Sequence, residues 1–506
     1  MISILKNLGR QIDEACDVNN EQALISLIED CSIALKEAVG TDRPILYYFT
    51  SNAYSGIVTA KYDVEYAWLW DQPEAVLELF NLRLAVNEDH FEDLNIVIQC
   101  QIRTNLANRL NSLGRCIEAS RRDIFSRRWA LRIIPKFAKA LGNRAYGLQC
   151  YSRLLYDHNH RSILLHNASK DVASAIGDDA YWDTGEEPAT KNALRARLDS
   201  IEAYLDQVGY QRSLDLNAFD LGETQKEQDY RQWCLNNRMF LNPLNDALTD
   251  KVAASDFQHL PSHTYNFEEE PRFPVYYNHM KQEYASARFR YYNAIQLNGY
   301  HFSDHEVVLY DNGDAGQFGH HTEELKSAFR AAYSLFDKVG IFINDYFKVG
   351  LNPYDATFRR VWSQKVKGGK NELRDVFKDR KNWPLRGLFY LSKDIFDDEF
   401  SELAEPDAQE LAKIRNYAEH RFITLQAYSA NVKPDEYRFA ITTDKFADKT
   451  LRVLKMARAC LIYLSLAMLV EEEEKEKNNK DRISFPLLGG IPILRPWDID
   501  NFDSEE

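Results

Sequence analysis

The sequence LAKIRNYAEHRFITL, residues 411–425, carries apolar side chains at Leu411, Ile414, Ala418, Phe422 and Leu425, in steps of three and four. That spacing predicts an α-helix with one buried stripe, within a helix over 407–427. Each helical residue turns by about 100°. Asn416 and His420 therefore fall off the stripe and, four apart, become neighbours on one face. Arg415 stands on the flank, with a side chain long enough to swing towards them. A guanidinium offers two parallel donors to phosphate oxygens, and an imidazole moves protons near neutral pH. Arg415, Asn416 and His420 together suit phosphodiester chemistry. The bland reading of the same residues is an Arg415–Glu419 ion pair at i,i+4, worth about a few tenths of a kcal/mol, beside two ordinary surface residues.

Further helices are predicted over 276–297, 321–347, 385–397 and 442–470. The second presents Leu325, Phe329, Tyr333, Phe336, Val339 and Ile343 on one long face. The last is apolar nearly all round from Leu461, which places it at the centre of an antiparallel bundle. Between the second and third runs FRRVWSQKVKGGKNELRDVFKDRKNWPLR (358–386), with ten Lys and Arg against three acids. Arg359, Arg360, Lys365, Lys367, Lys370 and Lys381, interleaved with Trp362 and Trp383, are candidates to grip a single-stranded RNA backbone and stack its bases. The alternative is an exposed loop kept soluble by charge. His301 and His305 are four apart, with His320 and His321 downstream, but no HExxH or CxxC accompanies them, and no metal site is expected. No phosphate-binding GxxxxGK[ST] loop occurs either, so no cofactor is expected.

Charge along the chain is uneven around a net of −15. Residues 1–100 hold 6 Lys and Arg against 17 acids, whereas residues 103–161 hold 13 against 3. The arginines of the second stretch (Arg103, Arg109, Arg115, Arg121, Arg122 and onwards through Arg127, Arg128 and Arg132) form either a basic surface for RNA or an acidic partner, or a set of ion pairs to the acidic residues next door. Neighbouring charges in stacked helices commonly pair, which favours the second. Amphipathic helix pairs run from residue 20 to about 206. Residues 207–275 lack a sustained period and are broken by Pro243, Pro261, Pro271 and Pro274, which predicts an irregular connecting segment.

The 506 residues predict two or three domains. We delimit a helical repeat domain at 1–206, the connecting segment at 207–275, a helical bundle at 276–470, and a charged extension with a C-terminal arm at 471–506. The arm contains the apolar FPLLGGIPILRPW (485–497). The seven cysteines form no CxxC pair, which argues for reduced thiols and a cytoplasmic home. The N-terminus turns charged too early for a signal peptide. The longest apolar run, 460–470, is eleven residues, too short to cross a bilayer.

Arg415-Asn416-x-x-x-His420 resembles the R-x4-6-H motif of the HEPN superfamily (higher eukaryotes and prokaryotes nucleotide-binding domains). FLNPLNDAL (240–248), KQEYASAR (281–288), LKSAFRAAYSLFDKVGIFINDYF (325–347) and GLFYLSKDIF (387–396) look like a bacterial branch of that superfamily, and the resemblance spans about 225–470. Leu110, Leu113, Gly114 and Ile117 resemble the first helix of a tetratricopeptide repeat, with a small residue for the helix crossing at Gly114. Ala130, Pro135 and Phe137 resemble the second helix and its exit, although 21 residues separate Gly114 from Pro135, short of the usual spacing. The resemblance implies an all-α chain, a tetratricopeptide-like helical repeat solenoid followed by a HEPN-like antiparallel bundle. It further implies a metal-independent endoribonuclease that acts as a homodimer or higher oligomer, often in toxin or antiviral defence systems. Other members have lost catalysis, so the alternative is a binding or sensor protein whose HEPN domain only holds nucleotide or RNA.

Overall fold

The computed structural model describes residues 2–63, 65–119, 137–182, 187–262, 271–297, 300–310, 313–365, 371–395, 408–429 and 436–478. In the N-terminal part, α1 (Ile2–Asp17), α2 (Glu21–Leu35), α3 (Asp42–Lys61), α4 (Pro73–Asn87) and α5 (Ile96–Ser112) pack in sequence order. So do α6 (Ala138–Ser152), α7 (His158–Ile176) and α8 (Glu187–Gln207). The starts follow local chemistry. Asn20, Asn95 and Asp157 each accept a backbone N–H in the first turn of the helix they cap. Pro73 opens α4, where its missing N–H has no partner to lose.

Within 207–275 lies a helix that periodicity does not reveal, α9 (Gln225–Asn237). Only Cys234 and Leu235 are buried on it, so there is no apolar stripe to read. Its signal is in the ends. The Thr224 hydroxyl accepts from Glu227 N, and Arg238 closes the helix in the left-handed conformation.

The C-terminal part is built from α10 (Arg272–Gln296), α11 (His320–Tyr346), α12 (Trp383–Lys393), α13 (Ala408–His420) and α14 (Thr443–Asn478). The antiparallel pair α10 and α11 packs along its length, and α14 lies against α10, α11 and α12. Leu461, Ile462, Tyr463 and Leu464 are fully buried in succession, which places α14 at the centre of the bundle. Over its full length, and not as the eleven-residue run alone, α14 is long and apolar enough to cross a membrane. However, 83% of its most apolar window is buried inside the protein. The chain is all-α in class. Its strands are short: β1 (Gly316–Gln317), β4 (Phe422–Gln426) and β5 (Arg438–Thr442) form a sheet in the order β1-β4-β5, and β2 (Ser363–Lys365) pairs with β3 (Asn371–Leu373).

The end of α13 corrects the sequence reading. The helix stops at His420 and does not run to 427. Phe422-Ile423-Thr424-Leu425 is aromatic and β-branched, a run that favours a pleated strand, and both sides of that strand are taken, by β5 in parallel and β1 in antiparallel register. Leu411, Ile414 and Ala418 are buried as the stripe predicts. Leu425 is buried from a strand instead, and Phe422 is 73% exposed.

One hydrophobic core runs from Val58 to Met468, and α1 to α3 hold a smaller cluster of their own, from Leu5 to Ile57. Buried charges tie the N-terminal helices to the C-terminal bundle. Arg83 on α4 grips both oxygens of Asp394, at 2.7 and 2.8 Å, and Arg115 reaches the same carboxylate at 2.7 Å. Arg103 pairs with Glu92, Arg109 with Glu78, and Arg115 also with Glu118. These arginines are therefore pairing groups and not an open basic surface; Arg121, Arg122, Arg127, Arg128 and Arg132 lie outside the described residues. Gly114 also has a different task from a helix crossing within one repeat. It ends α5 at φ +86, and its N–H and that of Arg115 bond back to Asn111 O and Leu110 O. A Cβ there would press on Trp383 O and stand 2.8 Å from Gly387 N, so the glycine lets α5 approach the backbone of α12. Pro135 and the arm at 485–497 lie outside the described residues.

Candidate functional site

The buried stripe of α13, with Tyr417 beside it, sits the helix on α11 and on the β4–β5 strands. The helix end is fixed by a single carbonyl. Glu436 O, just before β5, accepts from Arg421 Nη1 at 2.6 Å and from Tyr417 Oη at 3.3 Å. Phe422 N–H then donates to Tyr437 O at 3.0 Å, which starts the sheet. His420 is the last residue of α13, and its side chain is exposed at this anchored end. Asn416 is exposed one turn earlier.

Arg415 is half-buried against α11. Its guanidinium lies over the Tyr333 ring, 5.9 Å from the centroid, and its Nη1 donates to Asn416 Oδ1 at 3.3 Å. Among the described residues no ion pair joins it to Glu419, so the surface-pair reading does not hold. Asp337, one turn beyond Tyr333 on α11, feels the Arg415 charge. Burial pushes the Asp337 carboxyl above its ordinary range, while the Phe358 N–H, at 3.4 Å, and the Arg415 charge pull the other way. Tyr333 reads in the sequence as part of the apolar face, and Asp337 follows it by four residues. The i,i+4 pair Tyr333/Asp337 is the signal that could have found it.

The basic stretch divides. Phe358 N–H meets the carboxylate that feels Arg415, which brings the start of the stretch to the same part of α11. Arg359, the next residue, is half-buried and partnered, and Arg360 pairs with Asp355 at 3.0 Å. Lys365 and Lys381 are exposed, and Lys367 and Lys370 lie outside the described residues. Trp362 is only 2% exposed and packs on Phe358, Phe377 and Phe389, so it cannot stack a base. Trp383, at the start of α12, is half-buried.

The histidines after α10 serve a helix end. Asp304 accepts the His320 N–H at 2.9 Å, an interaction that keeps its carboxyl below the usual range, and the His301 and His320 rings lie 4.5 Å apart. Among the described residues no group of three or more His, Cys, Asp or Glu is placed to hold a metal ion. No two of the seven cysteines are joined in a disulfide.

The site is thus an exposed imidazole at a fixed helix end, an amide one turn back, and a guanidinium laid over an aromatic ring within electrostatic reach of a half-buried carboxyl. No curated protein and no solved structure matches the chain. Residues 264–472 match the family model described as LA2681-like HEPN, and they enclose every element of this site. The C-terminal part of the chain is accordingly a HEPN domain, of a superfamily that includes ribonucleases and nucleotide-binding domains.

Proposed function

We propose that the protein is a metal-independent endoribonuclease acting on tRNA or mRNA. The observation that supports it best is the placement of Arg415, Asn416 and His420. The three stand at the solvent side of a HEPN domain, with the guanidinium bound to neutral partners and not spent on a surface carboxylate. The ribose 2′-OH attacks the adjacent phosphorus as His420 takes its proton. The P–O5′ bond breaks, leaving a 2′,3′-cyclic phosphate and a 5′-OH. Arg415 holds the charge that builds on the phosphoryl oxygens, a role worth about 3–4 kcal/mol for one well-placed donor. Asn416 orients the phosphate or Arg415 itself.

One imidazole covers only half of this proton traffic, since the leaving 5′ oxygen needs a proton as the 2′ oxygen loses one. A second copy supplies the other His420, so the working form is a homodimer or higher oligomer through the HEPN domain. Uncontrolled RNA cleavage is toxic to its host, which fits a regulated cytoplasmic toxin or antiviral defence effector, with the N-terminal helices as a place for a protein or phage-derived trigger.

The test is cleavage of labelled tRNA and mRNA in EDTA. Wild-type protein should leave cyclic phosphate ends. His420→Ala and Arg415→Ala should abolish cleavage with the thermal midpoint unchanged. Full cleavage by His420→Ala removes that residue from the mechanism, and tight RNA binding by wild type without cleavage favours a binding and sensing role instead.

A further inference from the structure

We propose that Arg330 is a second phosphate-binding residue of the site, holding the phosphate next to the one that Arg415 and His420 engage on a single strand of RNA. The inference rests on the nuclease reading for its location and deepens it by naming how the site holds its substrate. Arg330 lies on α11 one turn before Tyr333, the ring that carries the Arg415 guanidinium. On a helix that turns about 100° per residue, Arg330 falls about 60° from Tyr333 and about 80° from Lys338, between the two. Tyr333 meets α13, and Lys338 pairs with Glu283 on α10. Arg330 therefore stands on the strip of α11 left between its two neighbours, on the flank where Arg415 packs.

Its charge is unspent. Arg330 is half-buried, and among the described residues it has neither a carboxylate nor a carbonyl as a partner. Half-buried arginines elsewhere in the chain are matched: Arg231 by Glu227, Arg380 by Glu471 and Arg438 by Asp314, while Arg161 donates to the carbonyls of Ser152 and Leu155. The acids bordering the strip are taken. Lys326 holds Glu323, and Lys338 holds Glu283. Asp337, two turns on, meets the Phe358 N–H and feels Arg415. A partly desolvated guanidinium without a counter-charge is costly to keep, and its planar fork of donors matches a phosphate. Offset from Tyr333 by one helical turn, about 5 Å, it meets a neighbouring phosphate of the strand and not the one under attack.

The test is fluorescence anisotropy on the full chain with a labelled twelve-nucleotide 2′-O-methyl RNA, which has no 2′-OH to attack, between about 50 and 200 mM KCl. Arg330→Ala should weaken binding about tenfold at the lower salt. It should also flatten the slope of log affinity against log salt by about 0.7, the share of one phosphate on a single strand. Arg330→Lys should keep the slope, because it keeps the charge. Lys226→Ala, which removes an exposed charge from α9, should change neither. No binding by wild type, a wild-type slope in Arg330→Ala, or an equal loss in Lys226→Ala overturns the proposal. So does a lowered thermal midpoint in Arg330→Ala, because the residue would then act through the fold. Since the probe cannot be cut, a chain that shows the Arg330 effect yet cleaves no RNA sinks the nuclease reading and leaves this one standing. Cleavage of RNA by Arg330→Ala at the wild-type KM sinks this one alone.

Discussion

Asp394→Asn is the sharpest test of how the two parts of the chain are joined. The carboxylate ends α12 and is 7% exposed, and the two arginines that hold it, Arg83 and Arg115, are each 3% exposed. Burial by itself pushes the Asp394 carboxyl up. The charges and hydrogen bonds of Arg83 and Arg115 outweigh it and hold the group well below the usual carboxylate range. Asparagine keeps the shape but removes the charge that the two buried guanidiniums share, while Arg115 keeps its second carboxylate, Glu118. Breaking a buried pair from one side costs about 3–5 kcal/mol. With an unfolding entropy of about 2 cal/mol/K per residue, a chain of this length loses about 1 °C of midpoint for each kcal/mol. The variant should therefore melt about 3–5 °C lower at pH 7 by calorimetry. The pH dependence has a definite sign. A depressed carboxyl stabilises the fold above its unfolded value, and that contribution is lost progressively as pH falls from there to the folded value, well below the usual carboxylate range. The advantage of wild type over Asp394→Asn should begin to shrink as pH falls below about 4. A variant within about 1 °C of wild type at pH 7, the range of an exposed pair, would refute the reasoning.

Gly114→Ala should lower the urea midpoint. The left-handed backbone costs about 1–2 kcal/mol and the crowding against Trp383 O and Gly387 about 1–3 kcal/mol more; an unmoved midpoint would mean the two helices part without cost. Asp337→Asn separates stability from activity. The Asp337 carboxyl is raised in the fold, so its contribution is present at low pH and lost as pH climbs through the folded value. The amide should hold or raise the melting temperature at pH 7 while RNA cleavage slows, because Arg415 loses the neighbouring carboxyl. Cleavage at the wild-type rate would show that Asp337 does not steer it.

The helices of the C-terminal bundle are readable from the sequence because each buries a stripe. Those predicted at 276–297 and 321–347 appear as Arg272–Gln296 and His320–Tyr346, within a few residues at each end. What escapes is structure specified by something other than period. Gln225–Asn237 is polar on most faces and announces itself only by the Thr224 cap. Phe422 and Leu425 continue the α13 stripe at helical spacing, yet the chain pairs them as a strand, because β5 and β1 supply ladder partners from well outside the window. The site shows the same division. Arg415, Asn416 and His420 are visible as a motif, whereas Tyr333 and Asp337 meet Arg415 only through the packing of α13 on α11. Trp362 reads as a nucleic-acid contact from its basic neighbours, but Trp70, Phe377 and Phe389 enclose it, and no local pattern records that.

The joining of the two parts also constrains how the proposed nuclease would be kept silent. Arg386 on α12 donates to the carbonyls of Ala67, Leu69 and Ser112, Trp70 Nε1 donates to Arg380 O, and Tyr390 donates back to Trp70 O. Burial depresses the Arg386 pKa, so those carbonyls are what keep its charge tolerable in the interior. Swinging the N-terminal helices away would break these bonds, strand Asp394 and open the core shared from Val58 to Met468. Each stranded buried charge alone costs about 3–5 kcal/mol, more than the about 1–3 kcal/mol that a bound effector typically transmits. Control by detaching the N-terminal half is therefore disfavoured on energy alone. Two cheaper routes remain. The separate cluster of α1 to α3 can respond without opening the main core. Alternatively, in the proposed mechanism, association of two copies would complete an acid–base pair that one chain leaves half-made, and this route would make silence the default state of the monomer.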